Sequence, residues 1–263
     1  MEFKLRDKVA LVTGGSRGIG RSVALMLAEQ GMHIVICGRT KESLEITASD
    51  IRKFGVNACA IQADVSKMKD IEAFVAEAFA ATGRIDVLVN NAVTSTSATF
   101  DELTDDLFQY HIDVKLMAYI RLARLVLPYM KSQSWGRIIN IGGMTARIVA
   151  PLRITNGVVN AGVANFTKQL ANNVACHNIT VNCVHPGMTE TERMMQVFER
   201  EAKEENVDVN MIRAKRTADI PLGKLIKPED IASSVLYFCS PLAEMVTGQS
   251  IAVDGGSGEA VIY

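Results

Sequence analysis

The amino-acid sequence predicts an α/β fold, a doubly wound parallel sheet (Rossmann fold) that forms a single domain. Short apolar runs alternate with amphipathic helical segments along the whole chain, as in a parallel sheet covered on both faces. A glycine-rich turn joins the first apolar run to the first helical segment. The 263 residues, 48% of them hydrophobic, suffice for one large core. No linker, repeat or low-complexity segment divides residues 1–263.

The composition excludes several classes of function. A formal net charge of −1 gives no electrostatic basis for binding nucleic acid or an anionic membrane. The five cysteines are scattered without CxxC spacing, so the sequence predicts neither a disulfide framework nor a metal site. There is no secretory signal pattern and no apolar run of about 18 residues. We therefore expect a cytoplasmic protein that does not enter the membrane.

The first strand is predicted at Lys8–Val12, and the turn that follows it, Thr13–Gly20, reads TGGSRGIG before a helix begins. Gly14 permits a tight turn, and Gly18 allows a ligand to approach the backbone closely. Gly20 lets the helix pack near the strand. The free N–H groups at the helix start then point towards a pyrophosphate. A glycine triplet placed between a strand and a helix predicts a dinucleotide site.

The second strand, His33–Arg39, ends where a dinucleotide fold meets the adenosine ribose. An acid at this point binds the 2′-hydroxyl of NAD, whereas a base accommodates the 2′-phosphate of NADP. The strand ends in Gly38 and Arg39 without an acid, and Arg17 lies in the glycine-rich turn. Both arginines favour NADP(H) as the cofactor, and the open alternative is that both are solvated surface charges.

The remaining elements continue the alternation of strands and helices. Further strands are predicted within residues 56–65, 84–93, 137–143, 179–191 and 246–256. A long helix is predicted at 104–130 with Thr104 as its N-cap, and another at 156–175. The segment at about 190–220 is charged and helical, and we expect it to form a lid over the substrate.

Three motifs in this frame resemble those of the short-chain dehydrogenase/reductase family. They are TGxxxGxG from Thr13, NNA from Asn90 and PGxxxT from Pro186, and the resemblance continues to the C-terminus. It implies a nicotinamide-dinucleotide oxidoreductase scaffold. The cofactor-contacting positions that it implies are Gly14, Ser16, Arg17, Gly18, Ile19, Gly20, Arg39, Asp64, Val65, Asn91, Thr189 and Thr191.

The catalytic tetrad of that family is replaced at every position. The resemblance places Gly143 where the family has Ser, Asn156 where it has Tyr, Asn160 where it has Lys and Lys115 where it has Asn. In the family, Tyr is the general acid or base, Lys lowers its pKa and binds the nicotinamide ribose, Ser binds the carbonyl and Asn completes a proton relay. A shifted alignment does not restore the motif, because no Tyr, Ser or Lys lies between Gly143 and Phe166.

This replacement predicts a non-catalytic subunit, a pseudoenzyme. One positioned acid–base group contributes roughly 10² to 10⁴ in rate, and the members of such a group act as a unit. The expected partner is an active paralogue bearing Ser, Tyr and Lys, as in degenerate subunits of hydroxyacyl-CoA dehydrogenases of the family, or the chain itself in a dimer or tetramer. The helices at 105–130 and 156–175 are the expected contact surface.

Two alternatives to the non-catalytic subunit stay open. One is an NADP(H)-dependent oxidoreductase or lyase with a non-standard active site, for instance one that uses Lys115; the intact glycine-rich turn favours it. The other is a binding protein that senses NADP(H) and regulates a partner.

Several basic side chains near the tetrad positions also have two interpretations. Lys115, Arg147 and Arg153 bind an anion such as a carboxylate if they line the pocket, and are solvated charges if they do not. His111 and His185 are most simply structural residues with hydrogen-bonded rings.

Overall fold

A single seven-stranded sheet organises the computed structural model, which describes residues 3–258. All neighbouring strands are parallel, in the order β3-β2-β1-β4-β5-β6-β7. The strands are β1 (Val9–Thr13), β2 (His33–Gly38), β3 (Ala58–Gln62), β4 (Val87–Asn90), β5 (Gly136–Ile141), β6 (Ile179–Pro186) and β7 (Ser250–Val253). The predicted doubly wound α/β fold is confirmed.

Helices cover both faces of this sheet. They are α1 (Gly18–Glu29), α2 (Lys41–Arg52), α3 (Met68–Thr82), α4 (Asp105–His111), α5 (Ala118–Ser132), α6 (Ile154–Val174), α7 (Glu192–Glu205), α8 (Val209–Ala218) and α9 (Pro228–Cys239). Side chains of α1, α2 and α9 share one hydrophobic core with the sheet, and those of α3, α5 and α6 share the other. No helix within residues 3–258 has the length and apolarity needed to cross a membrane.

Burial on both faces explains the continuous apolar runs that predicted the strands. In β1, Ala10 and Val12 belong to one core, whereas Val9 and Leu11 belong to the other, and all four side chains are buried. Successive side chains of a strand point to opposite faces, so a strand between two helical layers needs apolar residues at every position.

The long helix predicted at 104–130 is interrupted by a π-helical turn at Ile112–Met117, between α4 and α5. The predicted N-cap is confirmed, because Thr104 Oγ1 accepts a hydrogen bond from the Leu107 N–H at 3.2 Å. A π-helical turn changes the direction of the side chains that follow it and is frequent at functional sites. Lys115 lies within this turn, and its side chain is buried.

The segment at 190–220 contains α7 and α8, as its charged helical pattern predicted. Thr191 Oγ1 caps α7 by accepting a hydrogen bond from the backbone of the first turn. Phe198 and Ile212 anchor the two helices to the core, and Arg213 pairs with Glu190 at the base of the segment. The segment at 190–220 is therefore packed onto the fold, and its role as a lid stays a prediction.

A chain of polar side chains fixes α6 against the middle of the sheet. Asn90 Nδ2 donates to Asn140 Oδ1 at 2.9 Å, and Asn140 Nδ2 donates to Thr167 Oγ1 at 2.9 Å. Thr167 in turn donates to the Val163 carbonyl, at 2.8 Å. Since these groups are buried, each needs its partner, and the network sets the height of α6 above β4 and β5.

Candidate functional site

The crevice at the carboxyl ends of β1 and β4 is the topological switch point of the sheet, where open α/β folds bind ligands. Its floor is the glycine-rich turn. Gly14 and Gly18 have φ values of +64° and +54°, a region that favours glycine. A Cβ atom at Gly20 would lie 2.2 Å from the Gly14 carbonyl oxygen. Within the described part of the chain no side chain caps the start of α1, which leaves its first N–H groups able to bind an anion.

Asn91 and Thr13 join the end of β4 to this turn. Asn91 Nδ2 donates to the carbonyl oxygens of Thr13 at 2.9 Å and Gly14 at 3.2 Å. Thr13 Oγ1 accepts from the backbone N–H groups of Asn91 at 2.9 Å and Ala92 at 3.1 Å. The Asn91 side chain, a predicted cofactor contact, is therefore engaged in shaping the turn.

Arg17 and Arg39, the two arginines predicted to favour NADP(H), lie at the crevice. Within residues 3–258, neither Arg17 nor Arg39 has a carboxylate oxygen within 4.0 Å. Arg39 lies 3.4 Å from the Tyr110 hydroxyl, an exposed contact. Farther along the sheet, Asp64 accepts hydrogen bonds from Ser66, and Val65 is buried in the core. These positions surround the place that the fold gives to an adenosine.

The loop after β6 approaches the glycine-rich turn from the opposite side. Thr189 is buried, forms a bridge with Ile226 and donates its hydroxyl to the Gly187 carbonyl at 3.1 Å. The Thr191 methyl group would be 3.3 Å from a Cβ atom at Gly18. The fold thus brings together predicted cofactor residues from the ends of β1, β4 and β6.

Lys115 occupies the interior of the site. It is 3% exposed, and its ammonium donates a hydrogen bond of 2.8 Å to the Gly142 carbonyl, just past the end of β5. Burial lowers the pKa of Lys115 to about 8, and the nearby charge of Arg193 acts in the same direction. The alternative in which Lys115 is a solvated surface charge is therefore wrong.

Asn160 fills the space beside Gly143. A Cβ atom at Gly143 would lie 2.6 Å from Asn160 Nδ2, so the side chain of any other residue there meets this amide. Asn160 Nδ2 donates to Thr145 Oγ1 at 2.8 Å. Asn160 Oδ1 is buried without a hydrogen-bond partner among the described residues.

Among residues 3–258, the Asn156 side chain makes two long polar contacts. It is 7% exposed; its Nδ2 lies 3.5 Å from the Thr94 carbonyl and its Oδ1 lies 3.4 Å from Ser95 Oγ. An amide donates a hydrogen bond to a carbonyl, but it does not release a proton near neutral pH. Ser95 also meets two arginines, because Arg153 donates to its hydroxyl at 2.5 Å and Arg193 to its backbone carbonyl at 3.1 Å.

Both histidines have the structural roles that the sequence indicated. His185 Nδ1 lies 3.0 Å from the backbone N and O of Gly143. Burial, followed by the charge of Arg147, lowers the pKa of His185 to about 4, so the ring is neutral. His111 Nε2 lies 3.0 Å from Thr96 Oγ1, and burial lowers its pKa. No group of three or more His, Cys, Asp or Glu side chains in the described chain is placed to hold a metal ion.

Arg147 and Arg153, two of the basic residues noted in the sequence, have different positions. Arg147 donates to the Ser250 carbonyl on β7 and is engaged with the sheet. Arg153 faces the crevice beside Ser95. Ser95, Thr145 and Arg193 also belong to the site, and no local motif in the sequence marks them. Their roles arise from contacts between segments that are far apart in the chain.

Comparison with known proteins agrees with this architecture. A family model described as enoyl-(acyl carrier protein) reductase matches residues 14–258. The 3-oxoacyl-[acyl-carrier-protein] reductase FabG of Aquifex aeolicus is 35% identical over 257 residues, which are 97% of this chain and 99% of that protein. The chain belongs to the short-chain dehydrogenase/reductase family.

Solved structures of family members superimpose closely on this chain. L-sorbose reductase of Gluconobacter frateurii, complexed with NADPH and L-sorbose, has a TM-score of 0.97 at 30% identity, covering 99% of this chain and 100% of that one. An actinorhodin polyketide ketoreductase variant with NADPH has a TM-score of 0.91 at 34% identity, covering 96% and 98%. These relatives are named as reductases. They agree with the alternative of an NADP(H)-dependent oxidoreductase better than with a non-catalytic subunit.

The contact between positions 143 and 160 predicts strong coupling between two of the family's tetrad positions. We expect Gly143→Ser alone to destabilise the fold by about 1 kcal/mol, because its Cβ displaces the Asn160 amide from its hydrogen bond with Thr145. In an Asn160→Ala background the same change should be about 1 kcal/mol less destabilising. Urea denaturation of the two single variants and the double variant measures this difference. Equal destabilisation by Gly143→Ser in the natural protein and in the Asn160→Ala background would contradict the contact.

Proposed function

We propose that this chain binds NADP(H) and acts as an oxidoreductase in which Lys115 is the titratable group of the active site. The observation that carries the proposal is the buried Lys115 ammonium beside Gly142, with a pKa of about 8. A general acid works best when its pKa lies near the working pH. The family's Asn and Lys have in effect exchanged places here, at Lys115 and Asn160.

The residues present fit NADP(H). The turn at 13–20 offers backbone N–H groups to the pyrophosphate, and Arg17 and Arg39 offer unpaired charge to the 2′-phosphate. Asn160 Oδ1, a buried acceptor with no partner among residues 3–258, suits a hydroxyl of the nicotinamide ribose. When bound, the cofactor supplies or accepts a hydride.

Asn156 and Lys115 then have separate roles in the reduction of a carbonyl substrate. Asn156 Nδ2 donates a hydrogen bond to the carbonyl oxygen of the substrate. It is able to do so because its contact with the Thr94 carbonyl is long, at 3.5 Å. Lys115 supplies the proton that the oxygen needs after reduction, directly or through a water molecule. Neutral His185 fixes the backbone at Gly143 and takes no part in proton transfer.

The purified chain provides the test of this proposal. NADPH should bind, as measured by its fluorescence, and NADPH-dependent reduction of a panel of carbonyl compounds should be detectable. Because Lys115 must be protonated to act as the acid, kcat for reduction should fall as the pH rises through about 8. Lys115→Met should abolish this ionisation and leave NADPH affinity unchanged. The proposal would be wrong if NADPH did not bind, or if kcat of the Lys115→Met variant depended on pH as it does in the natural protein.

A second candidate is the non-catalytic subunit, favoured by the neutral, buried amides at positions 156 and 160. In this case the chain pairs with an active paralogue, or with itself, in the cytoplasm. The α6 surface offers Val158, which is 49% exposed, and exposed Ala161 for close helix contact. Silence of the pure chain, with reductase activity appearing only after a paralogue bearing Ser, Tyr and Lys is added, would favour this candidate.

A further inference from the structure

Two arginines converge on Ser95 at the mouth of the candidate active site. Arg153, immediately before α6, donates to Ser95 Oγ at 2.5 Å. Arg193, in the first turn of α7, donates to the Ser95 backbone carbonyl at 3.1 Å. Ser95 Oγ itself lies 3.4 Å from Asn156 Oδ1. Three segments that are distant in the chain therefore place two guanidinium groups beside the Asn156 amide.

These positive charges have no acidic partner among the residues that the structure describes. Within residues 3–258, no carboxylate oxygen lies within 4.0 Å of a guanidinium nitrogen of Arg153 or Arg193. The other arginines of α7 and α8 are paired, since Arg200 meets Glu204, Arg213 meets Glu190 and Arg216 meets Glu201. The two arginines at the crevice are thus exceptions to the charge pairing of their own neighbourhood.

The electrostatic consequence is a region of positive potential. Partial burial lowers the pKa of Arg193, and the charges of Arg153 and Arg17 lower it further. The charge of Arg193 also acts to lower the pKa values of His111 and Lys115, beyond the larger effect of burial. Crowded cations without counter-ions favour the binding of an anion, which relieves their mutual repulsion.

We infer that Arg153 and Arg193 bind the carboxylate of an oxo-acid substrate whose carbonyl group is held at Asn156. Guanidinium groups match carboxylate oxygens through paired N–H donors. Because Ser95 links the arginines to Asn156 within two contacts, the carboxylate lies close to the carbonyl, as in a 2-oxo or 3-oxo acid. This inference specifies the substrate of the proposed oxidoreductase and rests on that function.

The test compares acetoacetate with its ethyl ester, which has the same carbonyl but no charge. Calorimetric titration with and without NADP⁺ measures binding without requiring turnover. Acetoacetate should bind and the ester should not. Arg153→Gln and Arg193→Gln should each weaken acetoacetate binding by about tenfold or more, the effect of losing a charge-assisted hydrogen bond. Arg193→Lys should retain part of the affinity. Arg200→Gln, an exposed arginine on the same helix, is the matched control and should have no effect.

Other results of these titrations would contradict the anion site, the carboxylate assignment or the oxidoreductase proposal. Equal binding of acid and ester, or binding that is insensitive to both arginine variants, overturns the anion site. Tighter binding of inorganic phosphate than of acetoacetate overturns the carboxylate assignment in favour of a phosphoryl group. Loss of NADPH affinity in Arg193→Gln with acetoacetate binding intact shows that the arginine serves the cofactor instead. Arginine-dependent acetoacetate binding without NADPH oxidation supports the anion site and contradicts the oxidoreductase proposal alone.

Discussion

Gly20→Ala should destabilise the fold by about 3 kcal/mol and weaken NADPH binding by at least about tenfold. The added Cβ would lie 2.2 Å from the Gly14 carbonyl oxygen and 2.4 Å from Asn91 Nδ2. The carbonyl is part of the backbone of the turn, and the Asn91 amide holds that backbone, so neither moves without opening the proposed phosphate site. Urea denaturation and an NADPH fluorescence titration measure the two effects.

Gly157→Ala is the matched control for this substitution. Gly157 lies inside α6, where an added Cβ would meet only the Thr145 carbonyl oxygen, at 3.5 Å, which is an ordinary contact. Because alanine is a better helix former than glycine, the control should be neutral or stabilising by about 0.5–1 kcal/mol. A Gly20→Ala protein with the stability and NADPH affinity of the control would show that the glycine-rich turn accommodates the added Cβ atom.

Lys115→Met should change how stability depends on pH. The pKa of Lys115 is about 8 in the folded chain, against an ordinary value of 10.5, so below pH 8 the fold carries a buried charge. Burying this charge costs free energy of folding. As the pH rises from about 8 towards 10.5, Lys115 loses its proton in the folded state and this cost disappears. Relative to the methionine variant, the natural protein should therefore gain about 2–3 kcal/mol of unfolding free energy between about pH 7 and pH 10.

Urea denaturation of both proteins at several pH values measures this gain, because effects of other titrating groups cancel in the difference. Loss of the hydrogen bond to the Gly142 carbonyl shifts the comparison by an amount that does not vary with pH. Lys224→Met, at an exposed position, is the control and should show the pH dependence of the natural protein. A pH-independent difference for Lys115→Met would mean that the ammonium is not buried in solution.

The features that the sequence predicted correctly are those that depend on local patterns. Buried strands read as continuous apolar runs, the glycine-rich turn has characteristic spacing, and Thr104 precedes two acids at a helix start. Each of these is determined by residues that are neighbours in the chain. The doubly wound parallel sheet followed from the alternation of strands and helices, whereas the order of its strands comes from the structure.

Local sequence patterns do not predict features that are formed by segments far apart in the chain. Arg193 and Ser95 are separated by 98 positions, and Arg153 and Ser95 by 58. The π-helical turn that contains Lys115 has no sequence signature of its own. The resemblance identified which family side chains are absent, but only packing shows that Asn160 now occupies the space beside Gly143.

The Gly143–Asn160 contact also constrains the order in which this site can change over evolutionary time. A serine introduced at 143 meets the amide already present, so that step is disfavoured until position 160 has changed. Recovering the family's serine at position 143 therefore requires a concerted shift or replacement of the side chain at position 160.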